Sequence, residues 1–475
     1  MKNSYKTLLI ILFVFISNVA IGAVTNRYWV AVAGAGDAMW ENTANWSTSS
    51  GGTGGATVPN AENMKANFDG NSTVDAKLGG DVNKINKLTV SSAYSGTIDL
   101  NGYWLPVKNN IALYGGTVLV SANSFLQTWG DLYIYGGGTV TADGAGSKIK
   151  VRSNTHIYGE LTAPDGDHTR FTIRGGFNLY SSGTFYHNDG TVTMNTRFGG
   201  VGAAIKIISG PGTGRNFYNL YKNHNKVAYL SNDIEIENDL TIVGAGQIKA
   251  NSYDITIGGD WDVVSSSSFN DGTGKVIFNG ESAQIIDSPA NFNDVQISNS
   301  DVSLSRNVTI ADTLTIDSGA TLDINGYNLT AATLENDGNL QLEGGETVAI
   351  STMDTNSGTV TYDGTGTYTQ LAAGDDYYNL TLNSSGSITL DADLDVDGDL
   401  TIMTNSTLDV SSNNRSIEVA GDWSNSGTFD SGSGTVTFDG SSSTVTSGGI
   451  VDDKNDFHNV TLDGSATQLT NEIEI

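Results

Sequence analysis

The sequence predicts an all-β fold: a right-handed parallel β-helix, or solenoid, with an aromatic-rich N-terminal cap. Three observations carry this. First, four segments end in the same run: Gly190-Thr-Val-Thr-Met194, Gly274-Lys-Val-Ile-Phe278, Gly358-Thr-Val-Thr-Tyr362 and Gly434-Thr-Val-Thr-Phe438. Each is followed by an aromatic turn and strand: Asn216-Phe-Tyr-Asn-Leu220, Asn291-Phe-Asn-Asp-Val295, Asp376-Tyr-Tyr-Asn-Leu380 and Asp456-Phe-His-Asn-Val460. The runs start roughly 80 residues apart, and a fixed period signals stacked or strung units. Second, a shorter rhythm runs inside the long one. Asp239-Leu-Thr-Ile242 leads to Asp260-Trp261, and Asp399-Leu-Thr-Ile402 to Asp422-Trp423, in each case roughly 20 residues on. Third, the chain is rich in Gly, Ser, Thr, Asn and Asp around short Val/Ile/Leu alternations, which is a strand-and-turn composition.

A period of roughly 20 to 23 residues suits one coil of a parallel β-helix. Strands of successive coils stack about 4.8 Å apart, inward aliphatics merge into one core, and Asn or Gly takes the corners where φ turns positive. Asn101-Gly-Tyr, Asn251-Ser-Tyr and Asn325-Gly-Tyr are such corners. The long repeat then makes about four coils, and the mature chain about 20, a rod of roughly 90–100 Å at that spacing. The alternative is a string of small β-sandwich repeats, for which roughly 80 residues is also a suitable size. Sandwich beads need linkers, but the pattern is unbroken and no proline follows Pro289.

In chain order, residues 1–22 read as a secretory signal. Lys2 and Lys6 precede the apolar run Leu8–Ile16, and Ala20-Ile-Gly22 offers small residues for cleavage before Ala23. That run is too short to span a bilayer and no later run is longer, so the expectation is an exported chain, at the outer cell surface or extracellular, with no transmembrane segment after cleavage. Residues 23–72 form the capping segment: Trp29, Trp40 and Trp46 crowd into it and can cover the exposed end of a stack. The same indoles could instead stack on a glycan. Residues 73–190 read as irregular coils and 191–475 as coils built of roughly 80-residue repeats. The last run, Asn471-Glu-Ile-Glu-Ile475, matches Asn232-Asp-Ile-Glu-Ile236 in mid-repeat, so the repeat is expected to continue in a longer natural product.

The stretch Arg27-Tyr-Trp-Val30, Trp40, Thr43-Ala-Asn-Trp-Ser47, Val58-Pro59 and Asn67-Phe-Asp69 resembles the opening of repeat-rich bacterial cell-surface β-helix proteins, both autotransporter passengers and type IX-secreted adhesin-like proteins. Gly421-Asp-Trp-Ser-Asn-Ser-Gly-Thr-Phe429 with Gly434-Thr-Val-Thr-Phe-Asp439 is similar to their repeats. The resemblance covers most of the mature chain. It implies architecture and secretion, and a structural or adhesive role in contact with extracellular glycans or surface proteins. Type IX-secreted members usually end in a sorting domain, and none is evident here.

Charge is uneven. Residues 1–275 hold 20 Lys/Arg against 21 Asp/Glu, whereas residues 276–475 hold 3 against 31, so the net charge of −29 lies almost wholly in the C-terminal part. That part repels phosphates, which excludes nucleic acid as its partner. There is no cysteine, hence no disulfide, thiolate metal site or cysteine nucleophile. The main alternative to a structural rod is a polysaccharide-acting, pectin-lyase-like enzyme, or the stalk of a larger enzyme or adhesin. Neither Asn-Thr-Asp, Gly-His-Gly nor Arg-x-Pro-x-x-Arg occurs, and the histidines at 156, 168, 187, 224 and 458 are scattered. No catalytic residue is therefore assigned and no cofactor beyond possible calcium. Asp393, Asp395 and Asp397 match the opening of a calcium loop, but Thr404 stands where the bidentate carboxylate belongs. Their plainer reading is a strand with acids outward. Lys148, Lys150, Arg152, Arg170 and Arg174 form the densest basic region and are expected to be solvated strand-face residues. The Thr-x-Thr runs at 139, 191, 359 and 435 lie too far apart to make a hydroxyl ladder on adjacent coils.

Overall fold

A computed structural model describes residues 22–34, 38–195, 203–207 (backbone only), 212–266, 268–447 and 456–470. The expected secretory signal, but for Gly22, and the last five residues lie outside these. The chain is a parallel β-solenoid of about 18 turns. Each coil contributes strands to three faces. The first face is one 18-stranded ladder running from Trp104–Val107 to Thr467–Leu469. The second begins as a 12-stranded sheet containing Thr25–Trp29 and is taken over by a four-stranded sheet ending at Thr428–Asp430. The third passes from a six-stranded sheet, through an eight-stranded one starting at Ile234–Ile236, to a five-stranded one ending at Asn459–Leu462. Strand Leu329–Asn336 bends across two faces in one stretch, pairing Val308–Thr309 with its start and Thr313–Ile316 with its end.

Among the described residues every named strand pairing is parallel except that of Thr25–Trp29 with Trp46–Ser47. Parallel stacking with no linker sets the sandwich alternative aside. Along the first face Leu126, Ile149, Phe171, Val192, Leu220, Leu240 and Trp261 are successive partners. Coil length varies along this series: the step from Val192 to Leu220 is the longest, and the step from Leu220 to Leu240 the shortest. A still shorter step joins Leu322 to Leu340. The range is wider than sequence spacing implied because corners absorb insertions while strands keep register.

The inward residues of all three faces form one continuous hydrophobic core. Large rings fill it at intervals. Trp261, Phe269, Phe278 and Phe292 make one aromatic layer, and Trp423, Phe429, Phe438 and Phe457 make its counterpart two long repeats further on. Asn101, Asn251 and Asn325 do adopt left-handed φ, at 49°, 55° and 49°, as the corner reading required. At Gly386 the backbone passes so close to the neighbouring coil that a Cβ would lie 1.7 Å from the Gly366 carbonyl oxygen.

The long repeat behaves differently from expectation. Its runs do not share a face: Thr191–Asn195 and Thr359–Tyr362 belong to the first face, Lys275–Phe278 and Thr435–Phe438 to the third. What each repeat conserves is a stacked pair. The run lies directly beneath the strand that follows its aromatic turn, as Thr191 with Asn219, Lys275 with Asp294, Thr359 with Asn379, and Thr435 with Asn459. The repeat is therefore a local two-coil unit that alternates between faces, and two long repeats restore the original face.

Candidate functional site

The corners explain much of the acidity. At one corner Asp399 N–H donates to Asn379 Oδ1 (2.8 Å), Asp422 N–H to Asp399 Oδ1 (2.7 Å) and Thr444 N–H to Asp422 Oδ1 (2.7 Å). The series Asn219, Asp239, Asp260 and Ile285 repeats this at 3.0, 2.9 and 2.8 Å, and Asn110, Asp131, Asn154 and Gly176 at 3.0, 2.9 and 2.7 Å. One side-chain oxygen per coil thus caps a backbone donor that the corner removes from the strand ladder. For Asp131, burial pushes the carboxyl upward, but hydrogen bonds from Ser153, the Asn154 amide and Tyr133 outweigh it and hold it below the usual range.

A lateral groove runs along the corner between the third and first faces, close to where the six-stranded sheet ends at Thr184–Tyr186 and the eight-stranded one begins. It comprises a groove of about 570 Å³, lined in part by Tyr218, Glu235, Glu237, Asp260 and Glu281, and an adjoining hollow of about 290 Å³ beside Tyr186 and His187. Glu237 borders both. Asn216 Nδ2 donates to one of its oxygens, and His187 Nε2 lies 3.0 Å from the other. His187 Nδ1 accepts from Asp189 N–H at 3.1 Å, which leaves Nε2 as the protonated nitrogen of the neutral ring. The ring stacks on Tyr218 at 5.6 Å. Burial, then the Glu237 charge, raises the Glu235 carboxyl above its usual value. Among the described residues no Lys or Arg lines either hollow.

Two further surfaces stand out. On the second face Tyr114, Tyr135, Tyr158 and Tyr180 stack at 4.2, 5.6 and 3.8 Å in nearly parallel planes, with Tyr133 on His156 beside them at 4.5 Å. Rings stacked on one another show solvent their edges, not their faces, so this ladder is cross-strand packing. Burial and a neighbouring tyrosine push the Tyr135 and Tyr180 hydroxyls up to about 12. At the corner between the first and second faces, Lys108, Trp129, Arg152 and Arg174 follow the registered partners Val107, Thr128, Val151 and Ile173. Lys84 and Arg152 sit over the Trp129 ring, 4.7 and 4.5 Å from its centroid. Lys84 and Lys108 both bind Glu62 at 2.7 Å, which holds that carboxyl down at about 2.

The sequence candidates are distributed as follows. Trp29, Trp40 and Trp46 are buried and pack with Phe68 into one aromatic cluster. Trp40 and Trp46 donate their indole N–H groups to Pro59 O and Trp40 O. A ring enclosed in this way has no face to offer a sugar. Strand Met64–Phe68 stacks parallel on both Thr25–Trp29 and Lys87–Val90, so coil stacking begins inside the capping segment. Asp393, Asp395 and Asp397 are all exposed, and Asp393 Oδ1 is taken by Ser416 N–H. Among the described residues no group of three or more His, Cys, Asp or Glu is arranged to hold a metal ion. Of the basic residues, Lys148 is exposed at the start of its strand, whereas Arg152 and Arg174 follow registered partners into one corner column and are half-buried there rather than solvated on a strand face. The expected absence of a hydroxyl ladder needs correction. Thr361, Thr381, Thr401, Ser424 and Thr446 are successive outward partners on the first face, supplied by two Thr-Val-Thr runs (359–361 and 444–446) with Asn379-Leu-Thr381, Asp399-Leu-Thr401 and Asp422-Trp-Ser424 between them. The groove was missed because its walls meet only across coils.

Comparison with family models, curated proteins and solved structures finds no match, so the fold and these surfaces are the available guides to function.

Proposed function

We propose that the chain is an exported, cell-surface or matrix β-helical rod that works in adhesion, through many weak contacts with extracellular glycans or surface proteins. The observation that supports this most is the unbroken 18-stranded first face. It holds one set of outward side chains per coil at a rise of about 4.8 Å, and such repetition lets avidity replace a single tight site. The lateral groove is where a glycan chain would lie: Tyr218 lines it, and the carboxylates accept hydroxyl hydrogen bonds. The test is binding of the mature chain to an array of soluble glycans, repeated with Tyr218→Ala. Absence of binding to every glycan and to cell-surface preparations refutes the reading.

A hydrolytic reading is favoured by one observation. Glu235 is held toward its protonated form, while Glu237, two residues along the chain, is clamped by Asn216 and His187. Carboxyls in unlike environments suit acid and base roles. With no Lys or Arg among the described residues lining the groove, its substrate would be a neutral glycan rather than a uronate polymer. Release of reducing ends that disappears in Glu235→Gln supports hydrolysis; no release from any neutral glycan removes it.

A further inference from the structure

The two charged surfaces lie at opposite ends of the rod and on opposite sides of its three-sided section. The basic one is the corner column containing Arg152 and Arg174, with Lys148 on the adjoining first face. The acidic one is on the third face of the C-terminal coils, where Asp376, Asp395 and Glu418 are exposed, registered partners in successive coils. Residues 276–475 contain only Arg306, Arg415 and Lys454 to offset 31 acids, so this column is poorly neutralised from within. Both columns belong to the same solenoid and therefore share one pitch, about 4.8 Å per coil.

We infer that the basic corner of one rod docks laterally on the acidic third face of a second copy. Equal pitch is the reason to choose a second copy over other polyanions. Half-buried Arg152 and Arg174, one coil apart, can meet two successive acids of the partner's column rung for rung. Because the two surfaces face away from each other, the contact is heterologous: a rod engaged through its basic corner still presents its acidic face to a third. Parallel or antiparallel, staggered rods would continue into an open array rather than close as a dimer. Each such pair is weak and screened by salt, so assembly depends on both rungs acting together and on high local concentration. That is the condition of a surface layer or matrix.

The test uses the mature full chain in sedimentation velocity across concentration and salt. Wild type associates at low ionic strength, and association weakens about tenfold or more toward physiological salt. Arg152→Glu/Arg174→Glu remains monomeric, and so does Asp395→Lys/Glu418→Lys. Mixing the two restores association, since each supplies the surface the other has lost. Arg152 also packs on Trp129, so Lys148→Glu/Lys150→Glu serves as a second basic-side variant that leaves that ring alone; circular dichroism checks folding throughout. A wild type that stays monomeric at low salt overturns the inference, as does failure of the mixture to reassociate. So does loss of acidic polysaccharide or nucleic acid binding in Arg152→Glu/Arg174→Glu while wild type remains monomeric; that result would assign the corner to such a polyanion.

Discussion

The corner series Asn379, Asp399, Asp422 and Thr444 gives the most direct test of what holds successive coils together. Asp399 accepts from the Asp422 amide at 2.7 Å and stands about one coil from the Asp422 carboxylate. Two opposing contributions follow. Loss of the acceptor leaves a corner N–H to water and costs about 1 kcal/mol. Loss of the charge relieves a repulsion of about 1 kcal/mol at water's dielectric, less in salt. Asp399→Ala loses both, so its net effect is small. Asp399→Asn keeps Oδ1 and removes the charge, as Asn379 already does one rung earlier. The informative comparison is Asn against Ala, because both are neutral and only one accepts. It isolates the acceptor at about 1 kcal/mol, or roughly fivefold in an opening equilibrium. A solenoid opens locally and a global melting temperature would dilute the effect. Amide hydrogen exchange at Asp422 is therefore the assay. The Ala variant exchanges about fivefold faster than the Asn variant, and adding salt narrows the difference between wild type and Asn. Equal exchange in Ala and Asn would show that the side-chain oxygen does not hold the corner.

Asp271 is buried, and that burial lifts its carboxyl to about 6. The folded state thus holds its proton more tightly than the unfolded chain does; the resulting stability is full below the unfolded value near 3.9 and is lost as pH rises through about 6. Asp271→Asn should raise stability at pH 7 by about 1–3 kcal/mol and change little at pH 4, read by urea unfolding at the two pH values. Lys222 is wholly buried, its Nζ donating to the carbonyls of Asn223 (2.6 Å) and His224 (2.8 Å), and desolvation lowers it to about 8. The unfolded chain binds more protons above that value, so wild-type stability rises from about pH 8 toward 10, and Lys222→Met abolishes the rise. Gly386→Ala places a methyl against the Gly366 carbonyl and should cost about 2 kcal/mol or more, seen as early local unfolding of that coil by limited proteolysis.

Coil period, inward aliphatics and left-handed Asn corners were legible in the sequence because each is a local pattern with a fixed spacing. The phase of the long repeat was not. Matching Gly190 with Gly274 and Gly358 aligns residues, but the long repeat is not a whole number of coils, so successive runs land on alternate faces. The groove and the Thr361–Thr446 column were hidden for the same reason. Their members are neighbours only after register is known, and corners of variable length set the register. The corner series had a usable signal that composition alone obscured: Asn219, Asp239, Asp260 and Asn379, Asp399, Asp422 recur at coil spacing immediately before or within inward-outward alternations.

That distinction divides the acids into two kinds, with different consequences for function. Corner acids such as Asp239, Asp260, Asp399 and Asp422 have an oxygen committed to a neighbouring amide, so asparagine can replace them and their charge is incidental to the fold. Strand-face acids such as Asp376, Asp395 and Glu418 cap nothing in the ladder; they stand in register with one another, and burial and the charges of Asp397, Glu418 and Asp376 raise the Asp395 carboxyl. A carboxyl raised by burial and by its own kind costs stability as pH rises through its folded value, and a cationic partner would relieve that cost. Folding alone would favour asparagine or threonine at such positions, as at Thr437, the next partner of Glu418. Carboxylates retained where the fold gains nothing from them are the ones to assign to a surface that meets something else.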